Sequence, residues 1–392
     1  MDYSKNVNKL YFIMFFHNLI PAYVIERLFW EQRGMTVFMV VLCEIIYAVT
    51  IVILEIPTGI LADKFGRKVL LVIGGALSIL EFIILLFAKH FWIFALVVFL
   101  AGIAGACISG ALNALLYDTL LLENREKSFE KIIGRLNSID FIGSLLAALS
   151  GSVLAKFFGF EINYMLSAVS MFVAFGFTIF LKEPPRKHNP DEIKYMTNGI
   201  KDYFFSSISF YRNNPKLIVM IFHAMAIAAC VNYLDEFWQL YLDKIGFSVI
   251  FFGLFSALIS ISRIPGNLMA GYLTKYFPVE FILLIVLGVT TIGFLISAFF
   301  HGLIGVAMII IIFLISGVVD PVVTGYLHYH ANSEIRATID SIQSLIQKLL
   351  VFIVGIGFGI ISSEYTIFSG FIFLGTFMSI FFLLYLKNVN MK

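Results

Sequence analysis

Twelve long runs of apolar residues decide what this chain can fold into. In order, these runs are Leu10–Phe29, Val37–Leu61, Val69–Phe87, Phe91–Leu122, Leu136–Phe158, Ile162–Leu181, Leu217–Leu242, Val249–Leu273, Val279–Phe300, Leu303–Tyr329, Ile339–Ile361 and Tyr365–Leu386. A helix needs about 20 apolar residues to cross the hydrocarbon core of a bilayer. The runs are continuous rather than alternating in polarity, which favours helices over the strands of a transmembrane barrel. The sequence therefore predicts an all-α membrane protein with twelve transmembrane helices, which we number as spans 1 to 12.

Composition excludes the main soluble classes. Hydrophobic residues make up 60% of the 392 residues and charged residues 13%, whereas a soluble domain carries about 25% charge. The net charge of +2 indicates no polyanionic partner, so a nucleic-acid binder is excluded. Cys43, Cys107 and Cys230 all lie in apolar runs, which predicts neither a disulfide framework nor a zinc site. The sequence contains no zinc-protease, nucleophile-elbow or Walker motif, so we expect no enzyme and no cofactor or metal.

Basic residues predict the orientation. With both termini placed on one side, twenty of the 27 Lys and Arg residues fall on that side and five on the other. The positive-inside rule then places both termini in the cytoplasm of a multi-pass protein of the inner (cytoplasmic) membrane. The first run has only a short charged leader and no small-residue cleavage site, and we interpret it as a retained span.

The longest loop divides the chain into six spans plus six. We expect an amino-terminal six-helix bundle over 1–182, a cytoplasmic linker over 183–215 and a carboxy-terminal six-helix bundle over 216–392. Apolar residues recur in the linker at helical spacing, at Ile193, Met196, Ile200 and Phe204. They fit an amphipathic helix on the membrane face, and a solvated linker explains them equally well.

Two short repeats indicate that the bundles are related by duplication. Gly59-Ile-Leu-Ala-Asp-Lys-Phe after span 2 matches Gly271-Tyr-Leu-Thr-Lys-Tyr-Phe after span 8. Ile139-Asp140 at the start of span 5 likewise matches Ile339-Asp340 at the start of span 11. Both matches fall at equivalent places of a 6+6 layout, which predicts two pseudo-symmetric bundles in parallel repeat.

The loop after span 2 identifies a family. It resembles the signature loop of the major facilitator superfamily, G-x-L-a-D-[RK]-x-G-[RK]-[RK], and it lies between the second and third spans, where that family carries it. The matching residues are Gly59, Leu61, Ala62, Asp63, Lys64, Gly66, Arg67 and Lys68. The resemblance implies a major facilitator fold and a secondary transporter.

Each residue type of this loop has a physical role. Gly59 permits close helix packing, Gly66 permits a tight turn, and Asp63 is placed to cap N–H groups at a neighbouring helix start. Arg67 and Lys68 make the loop positive. Asp118, near the end of span 4, is a plausible partner for Arg67. The resemblance implies a latch that holds the two halves together; the alternative is a basic loop that only sets topology.

Charged residues inside spans are costly and therefore candidates for function. The resemblance implies that spans 1, 2, 4, 5, 7, 8, 10 and 11 line a central cavity. Glu44, Arg263, Asp320 and Lys348 would then face it, with Asp320 pairing with Arg263 or Lys348 in a static or a rearranging pair. Glu44 is the first candidate for proton coupling and Asp320 the second.

The remaining charged positions have other expected roles. We expect Glu55 and Asp140 to belong to the latch network and Glu81 to pack inside the amino-terminal bundle. Pro321, directly after Asp320, predicts a hinge in span 10.

Polar residues within the spans are candidates for the wall of a substrate cavity. They are His17, Asn18, Asn113, Asn232, Gln239, Gln343 and Gln347. His17 fits a hydrogen-bonded packing role as well as a titrating one.

These observations predict a secondary active transporter that works by alternating access. We expect proton-coupled efflux of hydrophobic or cationic compounds, with proton-coupled uptake of a small polar solute as the alternative and a channel or membrane enzyme as the rival of another class. The expected partners are a small-molecule substrate, protons and the lipid bilayer, and we expect a monomer.

Overall fold

The described part of the chain is helical throughout its regular structure. The computed structural model describes residues 5–185, 215–330 and 336–390. Within these segments, twelve helical stretches are long and apolar enough to cross a membrane. This confirms the predicted all-α fold with twelve spans. The predicted amphipathic helix of the linker lies outside the described residues.

The first six spans begin and end close to the predicted limits. Span 1 consists of helix Lys5–Asn18, a 3-10 turn Pro21–Ile25 and helix Glu26–Gln32. Spans 2 to 6 are the helices Val37–Phe65, Arg67–Phe87, Phe91–Leu122, Phe129–Phe158 and Glu161–Ile179, with a short 3-10 turn Glu126–Ser128 before span 5.

The last six spans include one further interruption. Spans 7 to 9 are Pro215–Lys244, Phe252–Tyr276 and Val279–Phe299, and a 3-10 turn Val249–Phe251 precedes span 8. Span 10 is divided into Leu303–Ser316 and Val319–His330. Spans 11 and 12 are Arg336–Glu364 and Ile367–Asn390.

The break in span 1 is stabilised by a side chain from span 6. Pro21 has no N–H to donate, so the helix is interrupted there and backbone carbonyls lose their usual partners. The Asn163 amide donates to Pro21 O at 3.0 Å and to Gly151 O at 2.9 Å. A Cβ at Gly151 would lie 2.5 Å from Pro21 O. The break therefore depends on a buried amide and on a glycine that lets span 5 approach.

The break in span 10 lies four residues before Pro321. Pro321 falls in the first turn of helix Val319–His330 and cannot donate to the carbonyl of Gly317, where the preceding helix ends. A Cβ at Gly317 would lie 2.6 Å from Arg263 O. The missing hydrogen bond of the proline and the close approach of spans 8 and 10 therefore fall at the same interruption.

The chain divides into two compact units by its contacts. Unit 1 comprises Met1–Lys187 with Phe247–Ala257, and unit 2 comprises His188–Gly246 with Leu258–Lys392. In unit 1, span 4 packs on spans 2 and 3, while span 1 packs on spans 5 and 6. In unit 2, span 9 packs on spans 10 and 12, and span 7 packs on span 11. The predicted linker lies largely outside the described residues, so its boundaries stay predictions.

Each of the two units has a packed apolar interior. An aliphatic cluster surrounds span 4 in unit 1, with Leu115 and Leu120 fully buried. Unit 2 has an aromatic core in which the ring centroids of Tyr233 and Phe358 lie 5.5 Å apart and those of Phe237 and Phe358 lie 5.2 Å apart. Because lipid is as apolar as leucine, such packing and the buried polar contacts, rather than exclusion of water, hold each bundle together.

Candidate functional site

Unit 1 contains a cavity of about 390 Å³ between spans 1, 3, 4, 5 and 6. This volume falls in the range of small-molecule sites, roughly 300–1,000 Å³. Its walls are mostly aliphatic and aromatic. The polar side chains that line it are His17, Asn18, Ser109, Asn113, Asn137, Asp140 and Thr178.

Helical spacing explains why these polar side chains meet. Ser109 and Asn113 are four residues apart on span 4, and Asn137 and Asp140 are three apart on span 5, so each pair lies on one helix face. His17 and Asn18 end the first helix of span 1, where the Asn18 amide donates to Met14 O at 2.9 Å. The structure therefore brings together three residues predicted for a cavity wall, His17, Asn18 and Asn113, with Asp140, which was predicted elsewhere. It adds Ser109, Asn137 and Thr178.

Asp140 is the acidic group of this cavity. Its side chain is half-buried, and among the described residues it makes no hydrogen bond or ion pair. The sequence analysis placed it in the latch network. The structure places it on the cavity wall instead, because residue 140 lies eleven residues into its helix, about 16 Å along the axis.

Glu44 has an arginine partner, Arg27, which the sequence analysis counted among the five basic residues on the side opposite the termini. Arg27 lies in the second helix of span 1, is 4% exposed, and donates to Glu44 Oε1 at 2.5 Å. Arg27 also lies 3.7 Å from Glu26 Oε2 and stacks over the ring of Trp30, 5.1 Å from its centroid. The break at Pro21 redirects the chain there, and periodicity does not reveal that turn.

The signature loop, between spans 2 and 3, contacts span 4 through Arg67. The Arg67 guanidinium forms an ion pair with Asp118 and donates to Ala114 O, and it lies 4.0 Å from Asp63. Asp118 was named from the sequence as a partner for Arg67, and the structure places the two in contact. Their side chains are only 16% and 21% exposed.

The sequence analysis missed the residue that caps span 3. The Glu183 carboxylate accepts hydrogen bonds from the backbone N–H groups of Arg67 at 2.9 Å and Lys68 at 2.6 Å. These are orphan donors at a helix start, and a carboxylate there also meets the positive end of the helix dipole. Acidic residues often follow the last span of a bundle. The position of Glu183 in the sequence therefore did not indicate that it caps span 3.

The two glycines of the loop differ in their surroundings. Gly66 has φ +113°, and a Cβ there would lie 3.3 Å from Glu183 Cδ, so glycine is required for both reasons. A Cβ at Gly59 would meet nothing within 4 Å in the described chain. The close packing expected at Gly59 is therefore not seen.

In unit 2, Arg263 pairs with Asp235 rather than with Asp320. Arg263 Nη2 lies 2.9 Å from Asp235 Oδ2, and its guanidinium stacks 4.7 Å from the centroid of Phe313. Asp320 accepts from the Thr324 hydroxyl at 3.5 Å. Lys348 is exposed and has no ion pair within the described segments.

The polar candidates of unit 2 are buried or half-buried. Gln239 and Gln343 are buried, at 6% and 8% exposure, while Asn232 and Gln347 are half-buried. Gln343 Oε1 has no hydrogen-bond partner in the part of the chain that is described. Within that same part, no three His, Cys, Asp or Glu side chains form a group that could hold a metal ion.

Comparison with known proteins decides the family. The family model of the Major Facilitator Superfamily matches residues 10–355. The chain belongs to this superfamily. The twelve apolar helices agree with a multi-pass membrane protein of this superfamily.

Curated relatives from bacteria agree with this family. The chain is 31% identical over 231 residues to an uncharacterized transporter of Buchnera aphidicola, covering 56% of this chain and 57% of that protein. It is 28% identical over 209 residues to multidrug resistance protein MdtG of Klebsiella pneumoniae, covering 53% and 47%. The chain thus spans about half the length of the curated relatives it matches.

A solved structure agrees with the fold. The crystal structure of nucleoside transporter NupG is similar, with a TM-score of 0.73 and 14% identity, and covers 99% of both chains. At this identity the likeness concerns the fold alone.

Proposed function

We propose that this transporter exports hydrophobic or cationic small molecules in exchange for protons. The observation that carries the proposal is Asp140, a carboxylate without a described partner in the wall of a mostly apolar cavity. The similarity to a multidrug resistance protein supports the direction and the substrate class. The basic-residue asymmetry supports termini in the cytoplasm.

The cavity chemistry favours an amphiphilic cation. A negative charge in a low-dielectric wall attracts an opposite charge far more strongly than the same charge in water does. Aliphatic and aromatic walls contribute packing for an apolar body. A molecule with an apolar body and one positive charge satisfies both.

Asp140 also offers a simple means of exchange. The carboxylate can be neutralised by a bound cation or by a proton, and the two compete for the same oxygens. Release of the substrate on one side followed by protonation there returns a neutral site, which is the logic of an antiporter. Glu44 is engaged by Arg27 and Asp320 by Thr324, so Asp140 fits this role better than either residue named first from the sequence.

The test is transport in proteoliposomes with an imposed pH gradient. Wild-type protein should move cationic dyes in the direction opposite to proton flow. Asp140→Asn should reduce this gradient-driven rate at least tenfold. Asp140→Glu, which keeps the carboxylate, should retain part of the rate. Gradient-driven transport by Asp140→Asn at the wild-type rate would contradict the proposal.

Uptake of a polar solute is the second candidate. Asn18, Asn113 and Asn137 give the cavity three amides that suit hydroxyl groups. The same proteoliposomes distinguish the two functions when neutral sugars and nucleosides are included. Accumulation of a neutral solute in the direction of proton flow, with no movement of dyes, would favour uptake over export.

A further inference from the structure

A buried asparagine at the start of span 1 bonds to two other parts of unit 1. Asn6 lies in the first turn of helix Lys5–Asn18 and is 1% exposed. Its Nδ2 donates to Thr119 Oγ1 on span 4 at 3.2 Å and to Lys182 O, just after span 6, at 2.8 Å. Its Oδ1 accepts from the Lys182 N–H at 3.0 Å. We call Asn6, Thr119 and the Lys182 backbone the Asn6 junction.

The Asn6 junction holds both polar groups of one backbone residue. An amide side chain has a donor and an acceptor side by side, so it can match the C=O and the N–H of Lys182 together. Thr119 is 0% exposed, and a buried group of this kind that loses its partner is not rescued by solvent. Lys9, one turn after Asn6, donates to Phe180 O and attaches span 1 to the end of span 6 a second time.

The residue held in this way directly precedes the cap of span 3. The Glu183 carboxylate accepts from the N–H groups of Arg67 at 2.9 Å and Lys68 at 2.6 Å. Consecutive Cα atoms are about 3.8 Å apart, so fixing the Lys182 peptide groups restricts where the Glu183 side chain begins. The position of the cap therefore depends on Asn6, a residue that bonds to neither of the capped N–H groups.

The span 4 side of the junction meets the same loop. Thr119 directly follows Asp118, whose carboxylate pairs with the Arg67 guanidinium. The Asn6 junction thus lies beside both attachments of Arg67, the side-chain pair with Asp118 and the N–H bond to Glu183.

The opposite end of the same helix lies in the cavity wall. Helix Lys5–Asn18 is 14 residues long, about 21 Å, and its last two residues, His17 and Asn18, line the cavity. The chain leaves this helix before the 3-10 turn that starts at Pro21. A displacement at the cavity end would therefore be carried along the helix to Asn6 more directly than into the rest of span 1.

We propose that Asn6 is a positioning residue of the signature loop. It holds the Lys182 backbone so that Glu183 caps span 3, and it thereby ties the cavity-lining helix of span 1 to that cap. The use of this connection in transport rests on the proposed function, whereas the positioning of Glu183 does not.

The test is amide hydrogen exchange of the purified full-length protein in detergent, measured at the N–H groups of Arg67 and Lys68. Asn6→Ala should raise their exchange rates about tenfold, because Glu183 is no longer held against them. Ser170→Ala is the matched control, since it removes another buried bond between spans 1 and 6, from Ser170 Oγ to Phe16 O at 2.7 Å. It should leave these rates within about twofold of wild type. Unchanged rates in Asn6→Ala overturn the proposal.

A double variant separates positioning from a general loss of stability. If Asn6 acts through Glu183, adding Asn6→Ala to Glu183→Ala should change exchange at Arg67 and Lys68 no further, because the acceptor is already absent. A further increase in the double variant would show that Asn6 acts by another route and would overturn the proposal. A uniform rise of exchange over all spans in Asn6→Ala overturns it as well.

Thr119 supplies a second pair of variants in case Asn6→Ala does not fold. Thr119→Val removes the hydroxyl that accepts from Asn6 at nearly constant volume and should raise exchange at Arg67 and Lys68 about threefold. Thr119→Ser keeps the hydroxyl and should leave that exchange unchanged. Equal exchange in the two variants overturns the proposal.

The outcome is separable from that of the proposed function because hydrogen exchange needs neither substrate nor gradient. Proton-driven dye transport that depends on Asp140, with unchanged exchange in Asn6→Ala, would support the proposed function and overturn the role of Asn6. Faster exchange at Arg67 and Lys68 in Asn6→Ala, without dye transport by wild-type protein, would support the role of Asn6 and contradict the proposed function.

Discussion

The loop between spans 2 and 3 and the loop between spans 8 and 9, whose sequences match, are built by different means. Between spans 2 and 3 the chain turns at Gly66, in a conformation that only glycine adopts readily, and Glu183 caps the next helix. Between spans 8 and 9 it turns at Pro278, which precedes helix Val279–Phe299 in an extended conformation and makes no side-chain cap. Glu280, in the first turn of span 9, is the acidic residue nearest that helix start.

The comparison separates what the two loops share from what they do not. Both loops keep the helix–turn–helix geometry that two packed spans require. The first loop also ties together three segments, because Arg67 bonds to Asp118 on span 4 and its N–H bonds to Glu183 after span 6. In the second loop, Lys275 stacks on its neighbour Tyr276, 5.6 Å from the ring centroid. Substitutions in the first loop should therefore destabilise several segments, whereas substitutions in the second loop should have only local effects.

The largest effect is expected for Arg67→Ala. It removes the partner of a largely buried carboxylate, and breaking such a pair costs about 3 kcal/mol of unfolding free energy. A thermal scan of the purified protein in detergent should show a clear fall in Tm. Lys275→Ala, the matched change in the second loop, should stay within about 0.5 kcal/mol of wild type. An equal fall in Tm in the two variants would contradict the proposed difference between the loops.

The next largest effect is expected for Gly66→Ala. An alanine at φ +113° is strained by about 1–2 kcal/mol, and its Cβ would press against the Glu183 carboxylate at 3.3 Å. Gly271→Ala is the control from the second loop, since a Cβ there meets nothing within 4 Å. That change should be neutral or stabilise span 8 by up to about 1 kcal/mol through helix propensity. A Gly66→Ala protein as stable as the Gly271→Ala protein would contradict the strained turn.

The spans could be predicted from the sequence because unpaired backbone groups are costly in lipid. Each span must therefore be a long helix of mostly apolar residues. Long apolar runs leave little choice, and span 3 begins within two residues of the predicted Val69. The signature loop likewise revealed Arg67 and its contact with Asp118, since both residue types are unusual at their positions. These features depend on local sequence.

The parts that were not predicted depend on tertiary geometry. Glu183 is 116 residues from the Arg67 N–H that it caps, and no local pattern connects the two. Arg27 reaches Glu44 only because the chain breaks at Pro21 and is held there by Asn163. Asp140 joins the cavity through the rotation of span 5 about its axis, and the hydrophobic pattern alone does not determine that rotation.

The smallest change in stability is expected for substitutions at the starts of spans 3 and 9. Glu183→Ala removes the acceptor for two backbone N–H groups and should cost about 1 kcal/mol, as the loss of a helix cap does. Glu280→Ala removes a first-turn charge from span 9 and should cost only a few tenths of a kcal/mol, the lower range of a charge–dipole interaction. Amide hydrogen exchange is the sharper measurement, because the freed N–H groups of Arg67 and Lys68 should exchange faster in Glu183→Ala while the start of span 9 is unchanged. Exchange at the start of span 3 that is the same in Glu183→Ala and wild type would show that Glu183 is not what holds this helix end. In that case the first loop would be stabilised by Arg67 and Asp118 alone.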